Sequence, residues 1–299
     1  MRRLAAAPPL PTSRIPWPAL LPLSPAFAFV IVFIAFPLGS EVWFSLSNAQ
    51  IGEIGTFVGL SNFVYLTRQA TYHDALVNTF VYTVVGIGAK AILGMALAFA
   101  LARPFRGRRV VYALIFLPFI FPTVTGTMAW YYLFSNVHGA INYALMAWGL
   151  SRDGVDWLGS FGPLPMTSLV TVNIWHGVGL FVVLLLAGLR SISTEVLDSA
   201  LVDGARSWQR FVHIILPLLK PAFALAAVLS IMGTFGDFAI IHILTNGGPA
   251  NHTQTITHMA FLVALRDGDL GVSAAIAFSL MPVYLVVLAY ILRTIVRPE

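Results

Sequence analysis

The stretch EVLDSALVDGARSWQRFVHIILPLLKP, Glu195–Pro221, decides the architecture. Its first twelve positions carry Glu195, Asp198, Asp203 and Arg206, and Arg210 and Lys220 follow. Apolar runs long enough to cross a bilayer flank it on both sides. Ser193 or Thr194 can N-cap a helix with acids in its first turns. Gly204 interrupts that helix. A second helix then carries Trp208, Phe211 and Ile215 on one face and runs to Pro217, and Pro217 and Pro221 redirect the chain into the next apolar run. The segment therefore reads as a folded loop with two apolar-faced helices, and such faces need something to bury them.

The rest of the chain sets this loop in lipid. The 299 residues are 58% hydrophobic and only 10% charged, with a mean hydropathy of +0.85. A soluble domain carries roughly a quarter charged residues. There is no cysteine, which excludes disulfides, thiolate nucleophiles and cysteine metal sites. Six stretches reach the roughly 20 residues that a spanning helix requires: Pro22–Leu46, Ala75–Ala102, Val110–Phe134, Pro165–Arg190, Leu218–Leu244 and Gly271–Val296. The fold class expected is all-α and integral to the membrane, with a tail at 1–18, a six-helix domain at 19–299 and the polar loop at 191–220. The first apolar run is of spanning length, so it reads as an uncleaved helix and not as a signal peptide.

Orientation follows from the basic residues. Thirteen of the 17 lysines and arginines fall in the segments on the N-terminal side of the membrane, among them Arg103, Arg106, Arg108, Arg109 and Arg190. Only Arg68, Arg152 and Arg266 fall on the other side, and Lys90 lies within a span. By the positive-inside rule both termini and the 191–220 loop are cytoplasmic. The same asymmetry explains the net charge of +5 without nucleic acid.

The loop resembles the "EAA" loop of the permease subunits of ATP-binding-cassette importers. The family pattern E-A-A-x-x-D-G-A reads here Asp198-Ser199-Ala200-Leu201-Val202-Asp203-Gly204-Ala205, followed by Ile214-Ile215-Leu216-Pro217. Asp198 stands for the Glu and Ser199 for the first Ala. LTNGGPANHTQT, Leu244–Thr255, and DLGVSAAIAFSL, Asp269–Leu280, resemble the last outer loop and sixth span of maltose- and glycerol-3-phosphate-type permeases. The resemblance implies a type I importer permease in the bacterial cytoplasmic membrane. It implies as partners a second homologous permease, two ATP-binding subunits and an extracytoplasmic solute-binding protein, with a carbohydrate-type solute. It also implies that Glu195, Asp198, Ala200, Leu201, Asp203, Gly204 and Ala205 couple the chain to the ATPase. No cofactor is expected in this chain, since ATP and Mg would sit on the partner. Lys90 precedes Ala and Lys220 precedes Pro, so no G-x-x-x-x-G-K-[ST] loop exists here to cradle phosphates.

Polar residues inside spans are costly and tend to face a pathway. Ser230, Thr234 and Asp237 fall at i, i+4 and i+7, with Gly233 beside them. Asn173, His176, Gly177 and Leu180 fall at i, i+3, i+4 and i+7. In the maltose-type permease the sugar-contacting positions match these eight, with identity at Asn173, Gly177 and Ser230. Trp130 and Trp175 are candidate stacking platforms. Each has a plainer reading. Ser230 and Thr234 can bond back to their own helix, His176 and Asp237 can pair helices, Lys90 can be an interior partner, and Trp130 can belong to an interfacial belt. Two other classes stand beside the permease. One is a self-sufficient secondary transporter, which has no use for an apolar-faced docking loop. The other is an intramembrane enzyme, which needs paired acids or clustered histidines at one depth.

Overall fold

The computed structural model describes residues 22–296. The tail at 1–18, with Arg2, Arg3 and Arg14, lies outside them, as does Arg297. Among the described residues the regular elements are helices, joined by loops that carry isolated bridges such as Ser47 to Phe57. Helices α1 (Ser24–Val30) and α2 (Phe36–Ser45) join through a π-helical stretch at Ile31–Ala35. The resulting 22-residue rod has none of its most apolar window buried. Phe27, Phe29, Phe33 and Phe36 stand fully out from the bundle. Short α3 (Ser61–Thr67) leads into α4 (Ala70–Ala102), the longest helix.

The third expected span is not one helix. It is α5 (Arg108–Ile120) and α6 (Thr123–Leu133), bent by 102° at Phe121–Pro122. Proline lacks the N–H that would continue the ladder, and it forces its predecessor out of the helical region. Phe121 accordingly has ψ 138°. Pro118, by contrast, is absorbed inside α5. Helix α7 (Ala140–Ala147) precedes α8 (Leu164–Ser191), and α9 (Thr194–Val202) opens the polar loop. Helix α10 (Ser207–Arg210), a π-helical stretch at Phe211–Ile215 and α11 (Leu216–Leu218) then run together. A 62° bend at Leu219 separates them from α12 (Lys220–Phe235).

The fifth expected span is also interrupted. Helix α12 ends at Phe235, and α13 (Ala239–Leu244) restarts after Gly236–Phe238. The restart is capped by a side chain, since Asp237 Oδ1 accepts the Ile240 N–H at 3.3 Å. The remaining helices are α14 (Ile256–Leu265), α15 (Leu270–Ser279) and α16 (Met281–Val296). Among the described residues four continuous helices are long and apolar enough to cross a membrane, and the number rises to six where each bent pair counts as one span.

Helices α4 and α8 form the spine. Small and large residues alternate across their contact. A Cβ on Gly86 would meet Asn173 Oδ1 at 2.9 Å, one on Gly177 would meet Lys90 Cδ at 2.9 Å, and one on Gly94 would meet Phe181 Cβ at 2.4 Å. Such contacts let membrane helices approach closely. The partners rise in step, four residues at a time, so α4 and α8 are parallel. The chain between them must therefore return across the bilayer, which is the task of the bent α5–α6 pair. Helix α12 is antiparallel to α8, because Gly188 abuts Leu219 and Ala222 while Asn173 reaches Asp237.

The Leu244–Thr255 motif is a folded clip. Asn246 and Gly247 both take positive φ. Asn78 Nδ2 on α4 donates to the carbonyls of Asn251 and Gln254 at 3.2 and 3.0 Å. The Ile256 N–H donates to Thr79 Oγ1 at 2.9 Å. These bonds anchor the loop to the first half of α4, away from the 191–220 end.

A polar cavity at mid-helix and an exposed apolar loop

Two apolar clusters grip the α4–α8 pair. One contains Tyr82, Leu169 and Ile240, and the other contains Ala91, Phe181 and Leu185. Between them, near the middle of both helices, lies a cavity of about 460 Å³. All eight residues expected on the two polar faces line it: Asn173, His176, Gly177 and Leu180 from α8, and Ser230, Gly233, Thr234 and Asp237 from α12 and its end.

Three separate sets of polar contacts hold the cavity wall. Tyr82 donates its hydroxyl to Asp237 Oδ2 at 2.5 Å, and Asn173 Nδ2 donates to the same oxygen at 3.2 Å. A carboxylate only accepts, so the amide nitrogen is the group that faces it, and Asn173 Oδ1 turns toward Gly86. Lys90 Nζ donates to Thr234 Oγ1 at 2.9 Å. Its stem crosses Gly177, where any side chain would displace it. His176 Nε2 lies 3.4 Å from Thr123 Oγ1 at the start of α6. Neither α12 hydroxyl bonds back to its own helix, since Thr234 accepts from Lys90 and Ser230 Oγ is buried without a partner.

Three participants escaped the sequence reading of the pathway: Tyr82, Lys90 in this role, and Thr123. A signal for the first two existed. Tyr82, Gly86, Lys90 and Gly94 repeat every fourth residue, so the polar pair and the two small residues share one face. Trp130 is a correction, because it does not line the cavity. It packs edge-on against Trp175 with centroids 5.8 Å apart and beside Phe134 at 5.3 Å. Its indole is taken up in the apolar cluster around Tyr82.

The 191–220 loop folds as two helices. Ser193, not Thr194, caps α9, its hydroxyl accepting the Val196 N–H at 3.4 Å. Gly204 takes φ +78°, the left-handed conformation that glycine adopts without strain. The turn closes when the Ala205 N–H donates to the Ala200 carbonyl at 2.9 Å. Ala200 is buried under the turn, while Glu195, Asp198 and Asp203 are exposed. Phe211 packs on Phe99 of α4, centroids 5.6 Å apart, so part of the second helix's apolar face is covered within the chain. Leu201, Val202 and Trp208 are not covered, and Val202 is 88% exposed.

A bundle of spanning helices, a polar cavity at mid-depth and an apolar-faced loop at one end define a membrane permease. The chain belongs to the family of binding-protein-dependent transport system inner membrane components, whose pattern matches residues 90–299. It is thus a multi-pass inner-membrane transport component of the permease type, a class of transport subunit and not of enzyme. It is similar to the trehalose/maltose transport system permease protein MalF of Thermococcus litoralis, with 32% identity over 259 residues, 86% of either chain. It is 29% identical over 267 residues, 89% of either chain, to the sn-glycerol-3-phosphate transport system permease protein UgpA of Yersinia pestis bv. Antiqua. The fold matches a chain in the crystal structure of a bacterial alginate ABC transporter in complex with alginate pentasaccharide-bound periplasmic protein. That match has a TM-score of 0.76 and 22% identity, and it covers 92% of both chains.

Proposed function

We propose that the mid-helix cavity is this chain's half of a translocation route for a sugar, polyol or sugar-phosphate, driven by ATP hydrolysis on separate subunits. The carrying observation is the polar wall, in which Tyr82 and Asn173 hold Asp237 and Lys90 holds Thr234, around about 460 Å³ of space. Fixed donors and acceptors in a concave site orient a hydroxyl-rich solute. The solute class rests on the names of the relatives, which include a trehalose/maltose and an sn-glycerol-3-phosphate permease.

Gly233 supplies the test. It lines the cavity, and a Cβ there would meet nothing within 4 Å. Gly233→Leu therefore projects a side chain into the route from a position whose Cβ is unobstructed. In the reconstituted importer this variant assembles at normal abundance and loses solute uptake. Unchanged uptake by an assembled Gly233→Leu importer would place the route elsewhere.

The remaining roles follow from the same reading. Both termini and the 191–220 loop face the cytoplasm. Exposed Leu201, Val202 and Trp208 dock in a groove of an ATP-binding subunit, with Glu195, Asp198 and Asp203 pairing with its cations. ATP and Mg are bound by that subunit, a second homologous permease completes the pathway, and an extracytoplasmic binding protein delivers the solute. The secondary-transporter alternative leaves the exposed loop faces without a use.

A further inference from the structure

The start of α5 and the end of α8 converge on a second pocket, separate from the solute cavity, of about 510 Å³. Its walls are Arg108, Arg109, Tyr112, Ala113 and Arg190. Three guanidinium groups share it, and none of its walls is acidic. Helix α5 has no acid in its first turn and no side-chain cap, so its partial positive charge adds to the arginines. Arg108 Nη2 is buried without a hydrogen-bond partner. Buried charge-bearing donors are ordinarily paired, and an anion in this pocket would pair with Arg108 Nη2. Forked guanidinium groups match phosphate oxygens in pairs.

The surface beside the pocket says what carries the phosphate. Val110, Leu114 and Leu117 form a stripe at i, i+4 and i+7 along α5, exposed by 62%, 61% and 48%. The stripe lies to one side of the pocket, and the i, i+4, i+8 ridge from Arg109 through Ala113, which lines the pocket, leads to its exposed Leu117. A headgroup at the arginines would thus have its acyl chains laid along α5. We infer that the Arg108–Arg109–Arg190 pocket binds the phosphate of an anionic phospholipid at the face of the membrane that carries the 191–220 loop. Basic pockets between spanning helices commonly take such headgroups. Tyr112, stacked on Phe116 with centroids 5.1 Å apart, floors the site with an aromatic edge at the depth where such rings favour the interface. Arg190 lies four residues before α9, so the bound lipid would tie α5 to the root of the loop.

The test uses the assembled importer in detergent, with retained lipid counted by native mass spectrometry. The probes are dioleoyl phosphatidylglycerol, dioleoyl phosphatidylcholine and inorganic phosphate. Phosphatidylglycerol is retained and phosphatidylcholine is not. Arg109→Gln with Arg190→Gln, both at exposed positions, weakens retention by about tenfold or more. Arg103→Gln with Arg106→Gln removes the same charge outside the pocket and leaves retention unchanged. Equal loss in both double variants would mean unspecific charge attraction and overturn the proposal. Equal retention of phosphatidylcholine would do the same. Displacement of the lipid by millimolar inorganic phosphate would assign the pocket to a free anion instead.

Discussion

Tyr82 and Asp237, 155 residues apart in sequence, share a 2.5 Å hydrogen bond that joins α4 to the break between α12 and α13. The same carboxylate takes Asn173 from α8 and the Ile240 N–H that starts α13. One side chain thus fixes three helices around the cavity. Tyr82→Phe removes one donor and leaves the carboxylate short of a partner, at a cost of ~1–3 kcal/mol. Asp237→Asn weakens the same bond. Thermal unfolding of the two single variants and the double variant should give a non-additive cycle. Strict additivity would mean that the two groups do not interact in the folded protein.

Gly204 is held at φ +78° with nothing within 4 Å of a would-be Cβ. The objection to a side chain there is therefore conformational and not steric crowding within the chain. Gly204→Val costs ~1–3 kcal/mol of local strain, while Gly204→Asn costs less because asparagine tolerates the left-handed region. Co-purification of the ATP-binding subunit should fall for Val and be largely kept for Asn. Equal retention in both would separate the turn geometry from docking.

His258 gives a pH dependence of defined sign. It is fully buried, and its Nε2 stands 3.3 Å from both His242 Nδ1 and Asn246 Oδ1. Helix α14, about 15 Å long, is too short to cross a bilayer. Burial, and then the neighbouring His242, push the His258 pKa down to about 4. Between pH 6.5 and about 4 the unfolded chain binds a proton that the folded loop refuses. Stability is therefore flat above pH 6.5 and falls by about 1.4 kcal/mol per unit below it. The melting temperature should drop across that window in the parent and drop less in His258→Gln. Identical pH profiles would assign the dependence to another group.

The cysteine-free sequence makes the orientation directly readable. Single cysteines at Ser207 and Asn251, both exposed, should respond oppositely to an impermeant thiol reagent added to intact cells. Asn251 should label and Ser207 should not, and the reverse pattern would invert the assignment.

The six spans were legible because length and apolarity alone specify a membrane helix. The breaks at Pro122 and Gly236 were not, because a bilayer helix can absorb a proline, as α5 absorbs Pro118. Only tertiary packing distinguishes the two outcomes. The polar faces of α8 and α12 could be read from their spacing, since an unpaired polar group in lipid has few places to go. Tyr82 was hidden because a tyrosine in a span is equally at home in an apolar core. Trp130 could not be placed from sequence, since an indole suits either a pathway or a core; it packs against Trp175 and Phe134.

The stepwise fit of Gly86, Lys90 and Gly94 against Asn173, Gly177 and Phe181 works as a ratchet with one tooth engaged. Sliding α8 by one turn would drive Phe181 onto Lys90 and bring the bulky Leu185 against Gly94. This interlock opposes shear along the seam, so α4 and α8 act as one rigid body. The breaks in the bundle lie elsewhere, at Leu219 and Gly236 on either side of α12 and at Pro122 between α5 and α6.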